Sequence, residues 1–242
     1  MKALFEILKQ FDLKRDEIKK KEWDSNDIAE CFFPCAKNVL LNGYFLVNEK
    51  YIIDLGAIEL YYHEEEGNIK DHIMYHTNEH TSKSRVFDLE GGFPYFKFGS
   101  LNLHQSGVDV TFENPQKRYR ASFLIRAYRV LKKEEDLNNC QELYDGCSTH
   151  LFDDMFYDGV LSGDSSKIKW IKCNKIGNVI KCPRKNVAEY YIDDHKKIVK
   201  VIANINDKEY QTNKDRYLKV NGKYFKQDMR AWQFKIEGIK EK

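Results

Sequence analysis

Proline, long apolar segments and net charge are all scarce in this sequence of 242 residues. It contains four prolines, and no stretch approaches the roughly 18 consecutive apolar residues of a membrane-spanning helix. Charges at Lys2, Glu6 and Lys9 interrupt the N-terminus, so we predict no signal peptide, no membrane partner and a cytoplasmic location. Forty Lys and Arg against 38 Asp and Glu leave a net charge of +2, so a nucleic-acid contact would require a local basic patch.

The cysteines lack the CxxC spacing that is typical of structural zinc sites. The segment CFFPC places Cys31 and Cys35 four positions apart instead of three. Without a predicted secretory signal, the cysteines are expected to be reduced thiols. They are Cys31, Cys35, Cys140, Cys147, Cys173 and Cys182.

The order of helical and extended patterns predicts a single α+β domain. Leu4, Leu8 and Phe11 recur at helical spacing, and a second helix is predicted to begin at the DSND cap and end at Pro34. From residue 35 the pattern is extended, with strands predicted on both sides of VNEK, in FPYFKFG and in ASFLIRAYRV, and an Asn-Gly hairpin in RYLKVNGKYFKQ. We therefore predict an N-terminal helical extension over 1–34 and the main domain over 35–242.

The apolar strand GAIELYY carries one carboxylate. Side chains alternate between the faces of a strand, so Ala57, Glu59 and Tyr61 would share one face, and the face beginning with Ile58 would pack in the core. If the first face borders a cleft, Glu59 is a candidate general base toward a water molecule. The alternative is a surface glutamate in water.

Arg126 lies among apolar residues in SFLIRAYRV and needs either a partner or a route to solvent. A carboxylate such as Glu59 or Asp109 is a candidate partner. The alternative is an arginine that extends to solvent from an edge strand.

Three histidines, His72, His76 and His80, recur at a spacing of four in the polar segment over 63–92, which is the best candidate for a functional loop. On a helix they would share one face and could bind zinc together with His63 or a glutamate. Because no apolar stripe accompanies them, solvated loop histidines are the alternative.

Taken in order, these segments resemble the alkyladenine (3-methyladenine, methylpurine) DNA glycosylase family. GAIELY is similar to the family strand E-x-E-A-Y, FLIRAYRV to hLIRALEP, YFKFG to Y-x-x-Y-G, CPRKNV to PRIGI, and MRAWQFKIEG to PWRFYI-G. Ala36–Gly43 resembles the early A-x-x-L-L-G segment, so the resemblance extends over residues 35 to 238. It implies a mixed, mostly antiparallel curved β-sheet flanked by helices.

The resemblance also implies roles for individual residues. Glu59 would be the catalytic base and Arg126 would position the attacking water. The flipped base would be sandwiched by Tyr61, His72 and Tyr95, while Phe98 would intercalate in the duplex. The family needs no metal or other cofactor, and no lysine nucleophile is carried over, so strand cleavage is not expected.

Two segments depart from the family pattern. Asp109 stands near the position of the family's pocket asparagine, and a carboxylate there accepts hydrogen bonds where an amide also donates them. The DNA-contacting turn GPG-K-L is matched only by YDGCSTHLF, which lacks its basic residue.

We therefore predict a monomeric, monofunctional DNA repair glycosylase of base excision repair. It would bind double-stranded DNA that contains an alkylated or deaminated purine, flip that base out, hydrolyse its N-glycosidic bond and leave an abasic site. The alternatives are a non-catalytic nucleic-acid-binding module of the same fold and a metal-dependent hydrolase that uses His72, His76 and His80.

Overall fold

A computed structural model describes residues 1–18, 23–74, 95–104, 107–138, 143–146, 167–194 and 197–241. Its helices are α1 (Lys2–Ile18), α2 (Ser25–Leu41) and α3 (Lys208–Thr212), with 3₁₀ turns at Glu134–Asn138 and Lys214–Arg216. Its strands are β1 (Gly43–Val47), β2 (Tyr51–Glu64), β3 (Leu101–His104), β4 (Gly107–Thr111), β5 (Tyr119–Leu131), β6 (Ile168–Lys172), β7 (Val179–Cys182), β8 (Tyr190–Ile192), β9 (Ile198–Lys200), β10 (Tyr217–Val220), β11 (Lys223–Lys226) and β12 (Gln233–Ile236).

Helix α2 begins where the sequence predicts and ends later. The Asp24 side chain accepts hydrogen bonds from the N–H groups of Asn26 and Asp27, and Asp27 accepts one from the Asp24 N–H, which completes a capping box. The predicted end at Pro34 is wrong, because the helix continues to Leu41. An internal proline costs roughly 3 kcal/mol, and the buried side chains on both sides of it offset that cost. These are Ile28, Ala29, Cys31, Phe32, Cys35, Ala36, Val39, Leu40 and Leu41.

The predicted boundary between residues 34 and 35 falls inside α2. Both N-terminal helices contribute buried residues to the main core, among them Leu8 and Phe11 of α1. Arg15 is also buried, and it donates hydrogen bonds to Tyr62 at 2.6 Å and to Glu64 at 2.8 Å. The helical segment is therefore packed against β2 as part of one core.

One large antiparallel sheet forms the centre of the fold, in the strand order β3-β4-β5-β2-β1-β6, and β12 pairs with both β2 and β7. The described part of the chain is thus α+β with a mostly antiparallel sheet, as predicted. ASFLIRAYRV lies in β5, and VNEK joins β1 to β2. The predicted strand in FPYFKFG is wrong for residues 95–99, which have no strand pairing and end in a turn.

The two faces of β2 have different environments. Ile58, Leu60 and Tyr62 lie in the main core beneath α1 and α2. Ala57 belongs to a separate apolar cluster on the other face, with Ala127 and Tyr144. The alternation predicted for GAIELYY is therefore confirmed, and Glu59 lies on the face away from the helices.

The chain leaves the main sheet at the end of β7 and re-enters it at the start of β12. These two points are adjacent, because Cys182 pairs with Gln233. The residues between them form two hairpins, β8-β9 and β10-β11. The predicted Asn-Gly hairpin is confirmed, because Asn221 and Gly222 both have positive φ, 50° and 76°, as a type I′ turn requires.

No helix among the described residues is both long and apolar enough to cross a membrane.

Candidate functional site

Two extra residues in the β2–β5 pair determine which side chains meet. Gly56 has no register partner in β5 and Arg126 has none in β2, so the register shifts on either side of the Ala57–Ala127 pair. Bulges of this kind change the direction in which neighbouring side chains point. Arg126 is two residues from Leu124, the register partner of Glu59, and so shares the face of Glu59 by alternation, while the bulge brings Ala127 to that face as well.

The Glu59 carboxylate accepts hydrogen bonds from four donors. Arg126 donates from Nε to Oε2 at 3.0 Å and from Nη2 to Oε1 at 2.8 Å. The Tyr61 hydroxyl donates to Oε1 at 2.6 Å, and the backbone N–H of Lys185 donates to Oε2 at 3.3 Å. Both carboxylate oxygens therefore have partners supplied by three separate segments of the chain.

This geometry decides between the alternatives for Glu59 and Arg126. Glu59 is completely buried, so the alternative of a surface glutamate in water is wrong. Arg126 pairs with Glu59, which was one of its two candidate partners, and β5 is an interior strand between β4 and β2. The edge-strand alternative is therefore wrong, although the Arg126 side chain keeps 23% exposure.

Protonation of the two donor side chains is stabilised by their surroundings. Burial, together with the negative charge of Glu59, raises the pKa of Tyr61 well above its ordinary value. Burial acts to lower the pKa of Arg126, but the hydrogen bonds and charge of Glu59 outweigh it and raise that pKa. Tyr61 and Arg126 thus remain hydrogen-bond donors throughout the neutral pH range.

A polar cleft of about 250 Å³ opens beside this pair. The residues that line it are Arg126, Asp145, Gly146, Lys185, Asn186, Gln233 and Glu241. Gln233 is the register partner of Glu59 across β12 and β2. The Lys185 carbonyl accepts a hydrogen bond from Arg126 Nη2 at 3.4 Å. The partners of Glu59 therefore form part of the cleft wall, with the carboxylate buried behind them.

A cluster of two arginines and two aspartates, buried except for Arg230, lies next to the Tyr61 ring. Arg184 donates to Asp71 from Nη1 at 2.6 Å and from Nη2 at 3.2 Å, and it also bonds Asp228. Arg230 donates to Asp228 at 2.6 Å and to Asp71 at 3.2 Å. The Arg184 guanidinium lies 5.0 Å from the ring centroid of Tyr61, within cation–π range. The cluster joins three chain segments and contacts the Tyr61 ring through Arg184.

His72 lies in a second cleft, of about 550 Å³, above this cluster. The residues that line it are Ser25, Asn26, Asn68, Lys70, Asp71, His72, Ile73, Glu189, Tyr190, Asp228, Met229 and Arg230. The two clefts share no lining residue among those described. Of the predicted base-pocket residues, Tyr61 contacts Glu59, whereas His72 lies in a separate cleft.

The remaining predicted site residues line neither cleft. The Arg120 guanidinium lies 4.1 Å from the ring centroid of Tyr95. Phe98 packs edge-to-face on Phe5 of α1, with ring centroids 6.5 Å apart. Asp109 is buried and accepts a hydrogen bond from Ser122. The structure therefore brings together Glu59, Arg126 and Tyr61, and the roles of Tyr95, Phe98 and Asp109 stay predictions.

Asp109 nevertheless shares a sheet face with Glu59. Both residues are register partners of Leu124, from opposite sides of β5. At about 4.8 Å per strand, they are roughly 10 Å apart. Leu124 between them is itself buried, so this part of the face is not open to a ligand.

The histidines and cysteines form no metal site in the part of the chain that is described. No group of three or more His, Cys, Asp or Glu side chains there could hold a metal ion, and His76 and His80 lie outside the described residues, as do Cys140 and Cys147. Cys31 and Cys35 are free thiols that donate to backbone carbonyls of α1, and burial raises the pKa of each to about 12. Cys173 and Cys182 are also free.

Two residues of the site, Lys185 and Gln233, were not predicted from the sequence. Lys185 contacts Glu59 and Arg126 through its backbone, so its residue type carries no signal. Gln233 is placed by the pairing of β12 with β2. In the sequence, only the resemblance of CPRKNV and MRAWQFKIEG to family motifs indicated that these segments belong to the site.

Comparison of the chain with protein-family models, with curated proteins and with solved structures gives no match.

Proposed function

We propose that this protein is a monofunctional DNA glycosylase that hydrolyses the N-glycosidic bond of a damaged purine. The observation that supports this function best is the Glu59 carboxylate, which accepts four hydrogen bonds directly behind the wall of a polar cleft. Carboxylate oxygens accept hydrogen bonds and can take a proton from water, which is the role of a general base.

The groups around Glu59 suggest a position for the attacking water. Arg126 Nη2 lies within hydrogen-bond distance of both Glu59 and the Lys185 carbonyl. A water entering between these groups from the cleft would accept from Arg126 and donate to the other two. As its oxygen bonds to the sugar carbon, one proton passes to Glu59, and the electron pair of the broken C–N bond leaves with the base.

The size of the cleft is compatible with one small group. Its volume of about 250 Å³ lies just below the roughly 300 to 1,000 Å³ of pockets that hold drug-sized ligands. A base inside a duplex cannot reach such a site, so the enzyme would extrude it, at a cost of a few kcal/mol that is lower for damaged bases. This cost favours lesions over normal purines.

The complete burial of Glu59 supports a second candidate, a nucleic-acid-binding module that does not cut. Both oxygens are occupied, so catalysis requires water to displace a partner from at least one of them. If the Arg126 pair never opens, Glu59 only fixes the cleft wall and the protein binds without releasing a base.

An assay of base release distinguishes a glycosylase from a module that binds without cutting. Duplex DNA that contains alkylated purines or hypoxanthine is incubated with excess protein and chelator, and free bases are separated by chromatography. The variants are Glu59→Gln, which keeps the shape but loses the base, and Glu66→Gln, the same change at an exposed surface glutamate paired with Arg118.

We expect the wild-type protein and Glu66→Gln to release the base at equal rates, and Glu59→Gln to be slower by about 10² to 10⁴-fold, the usual contribution of a general base. Release at the same rate by all three proteins would exclude Glu59 as the base. Binding of the lesion duplex without release by any of them would establish the second candidate.

A further inference from the structure

The excursion between β7 and β12 carries a small sheet with one open face. In β10 and β11, Leu218 pairs with Phe225 and Val220 with Lys223, so these four side chains point to the same side. Ile202 bridges to Phe225 and joins that side. The opposite side is covered, because Tyr210 of α3 packs edge-to-face on Tyr217 and Tyr224.

The hairpin β8-β9 extends this open face. Lys200 pairs with Tyr190, and its Nζ lies 5.9 Å from the ring centroid of Tyr190 and 5.2 Å from that of Phe225. Lys200 thus bridges the two hairpins on the same side of the small sheet. We call the resulting surface the open face and define it by Tyr190, Lys200, Ile202, Val220, Lys223 and Phe225.

Exposed apolar side chains concentrate in this part of the molecule. Six of the ten large hydrophobic residues that are exposed among the described residues lie between positions 191 and 229. On the open face, Ile202 is 58% exposed and Val220 is 42% exposed. These two side chains add exposed apolar surface to the open face.

The charge of the four strands has one sign. Their charged residues are Lys200, Lys219, Lys223 and Lys226, with no acidic residue. Lys226 has carboxylate neighbours in Glu189 and Glu209. Lys219 pairs with Tyr224 on the covered side. Lys200 and Lys223 lie on the open face and have no ion-pair partner in the part of the chain that is described, so their charge is available to an anionic ligand.

We infer that the open face binds single-stranded nucleic acid. Its lysines would contact phosphates, while its aromatic and aliphatic side chains would contact bases, the combination by which sequence-tolerant single-strand binding works. An acidic or purely apolar protein partner would use only one of these two features. The face also approaches the larger cleft, since Tyr190 belongs to both.

This inference goes beyond base removal and does not depend on Glu59. Binding of single-stranded DNA can therefore be tested with undamaged DNA, and also in a variant that lacks the Glu59 carboxylate. Fluorescence anisotropy of a labelled single strand of about 16 nucleotides, the upper end of single-domain site sizes, gives the affinity as a function of salt. The assay is run in wild-type protein and in Glu59→Gln.

The variant Lys200→Glu/Lys223→Glu reverses two charges on the open face. The matched control, Lys208→Glu/Lys214→Glu, makes the same charge change at two exposed lysines of the same excursion that lie outside it. A third variant, Ile202→Ser, removes an exposed apolar contact without disturbing the core. Thermal unfolding of each variant verifies that the fold is kept.

We expect the open-face double variant to bind about tenfold more weakly at low salt, with a salt slope shallower by about 1.4, the value for two lost phosphate contacts on a single strand. The control should change affinity by less than about twofold, and Ile202→Ser should weaken binding severalfold, within the range of one lost base contact. Equal losses in both double variants, or no binding by the wild-type protein, would overturn the inference. So would concentration-dependent dimerisation that Ile202→Ser abolishes. Base release, measured separately, is unaffected by these outcomes.

Discussion

The strands β2 and β5 hold two carboxylate–arginine pairs that differ in their access to solvent. Asp54 pairs with Arg129 at 2.8 Å, and Glu59 pairs with Arg126 at 2.8 Å. Both carboxylates are fully buried. The Arg129 side chain is 4% exposed, whereas that of Arg126 is 23% exposed and lines a cleft.

The additional partners of Asp54 explain this difference. Lys175 donates to it at 2.5 Å and Tyr144 at 2.8 Å, so Asp54 holds two buried cations in a site covered by an aromatic ring. The Glu59 pair has no second cation in direct contact in the described part of the chain. A buried ion pair therefore does not by itself indicate function, and what distinguishes Glu59 is the cleft beside its partners.

The largest effect is expected from Asp54→Asn, which breaks the fully buried Asp54–Arg129 pair. The substitution removes the charge of the carboxylate to which Arg129 and the buried Lys175 both donate, and loss of one member of a buried pair costs about 3 to 5 kcal/mol. Urea unfolding should show this loss, while Glu59→Gln should cost less because Arg126 reaches solvent. A smaller loss for Asp54→Asn than for Glu59→Gln would invert the comparison.

The next largest effect is expected at the bulge between the two pairs. A Cβ at Gly56 would overlap the ring of Tyr144 and come within 3.0 Å of Ile239. Gly56→Ala should therefore destabilise the protein by about 1 to 3 kcal/mol, as overpacking of a core does, and should disturb the Asp54 pair that Tyr144 completes. Gly222→Ala is the control without a steric overlap, since no atom lies within 4 Å of a Cβ at that position. The positive φ of Gly222 makes its substitution strained for a separate reason. Overpacking predicts that Tyr144→Leu partly rescues Gly56→Ala and leaves Gly222→Ala unchanged.

These bulges show where prediction from the sequence ends. Alternation in GAIELYY correctly placed Glu59 and Tyr61 on the face opposite Ile58. Asp54 and Glu59 are five residues apart, so a regular strand would place them on opposite faces. The extra residue Gly56 puts both on one face, and an unpaired residue leaves no mark in the periodicity.

Tertiary packing and backbone contacts limit prediction in the same way. The local preference of Pro34 to end a helix is outweighed by the burial of the residues that follow it. The contacts of Lys185 with Glu59 and Arg126 use main-chain atoms that every residue has. The cap at Asp24 and the turn at Asn221 and Gly222 were predictable because their chemistry is local.

Acid titration extends the comparison to the Arg184 cluster. Burial acts to raise the pKa of Asp228, but hydrogen bonds and charges of Arg230 and Arg184 lower it to about 2. Since the unfolded value is about 3.9, the resulting stability, of order 2 kcal/mol, is fully present above pH 4 and is lost as the pH falls through 2. Free energies of unfolding at several pH values should fall over this window, and Asp228→Asn should flatten that dependence. An unchanged slope in the variant would mean that other carboxylates dominate.

The smallest effect is expected from Lys185→Ala. This substitution removes the Lys185 side chain and keeps the backbone groups that contact Glu59 and Arg126. The Lys185 side chain is 59% exposed and pairs with Glu241 at 2.8 Å, whereas its backbone N–H and carbonyl contact Glu59 and Arg126. The substitution should change stability by at most about 0.5 kcal/mol, the usual limit for surface positions, and base release should stay within about threefold. A much larger loss of release, together with borohydride trapping of a protein–DNA adduct in the wild type alone, would make Lys185 a nucleophile. That result would replace the monofunctional mechanism with one that forms a covalent intermediate.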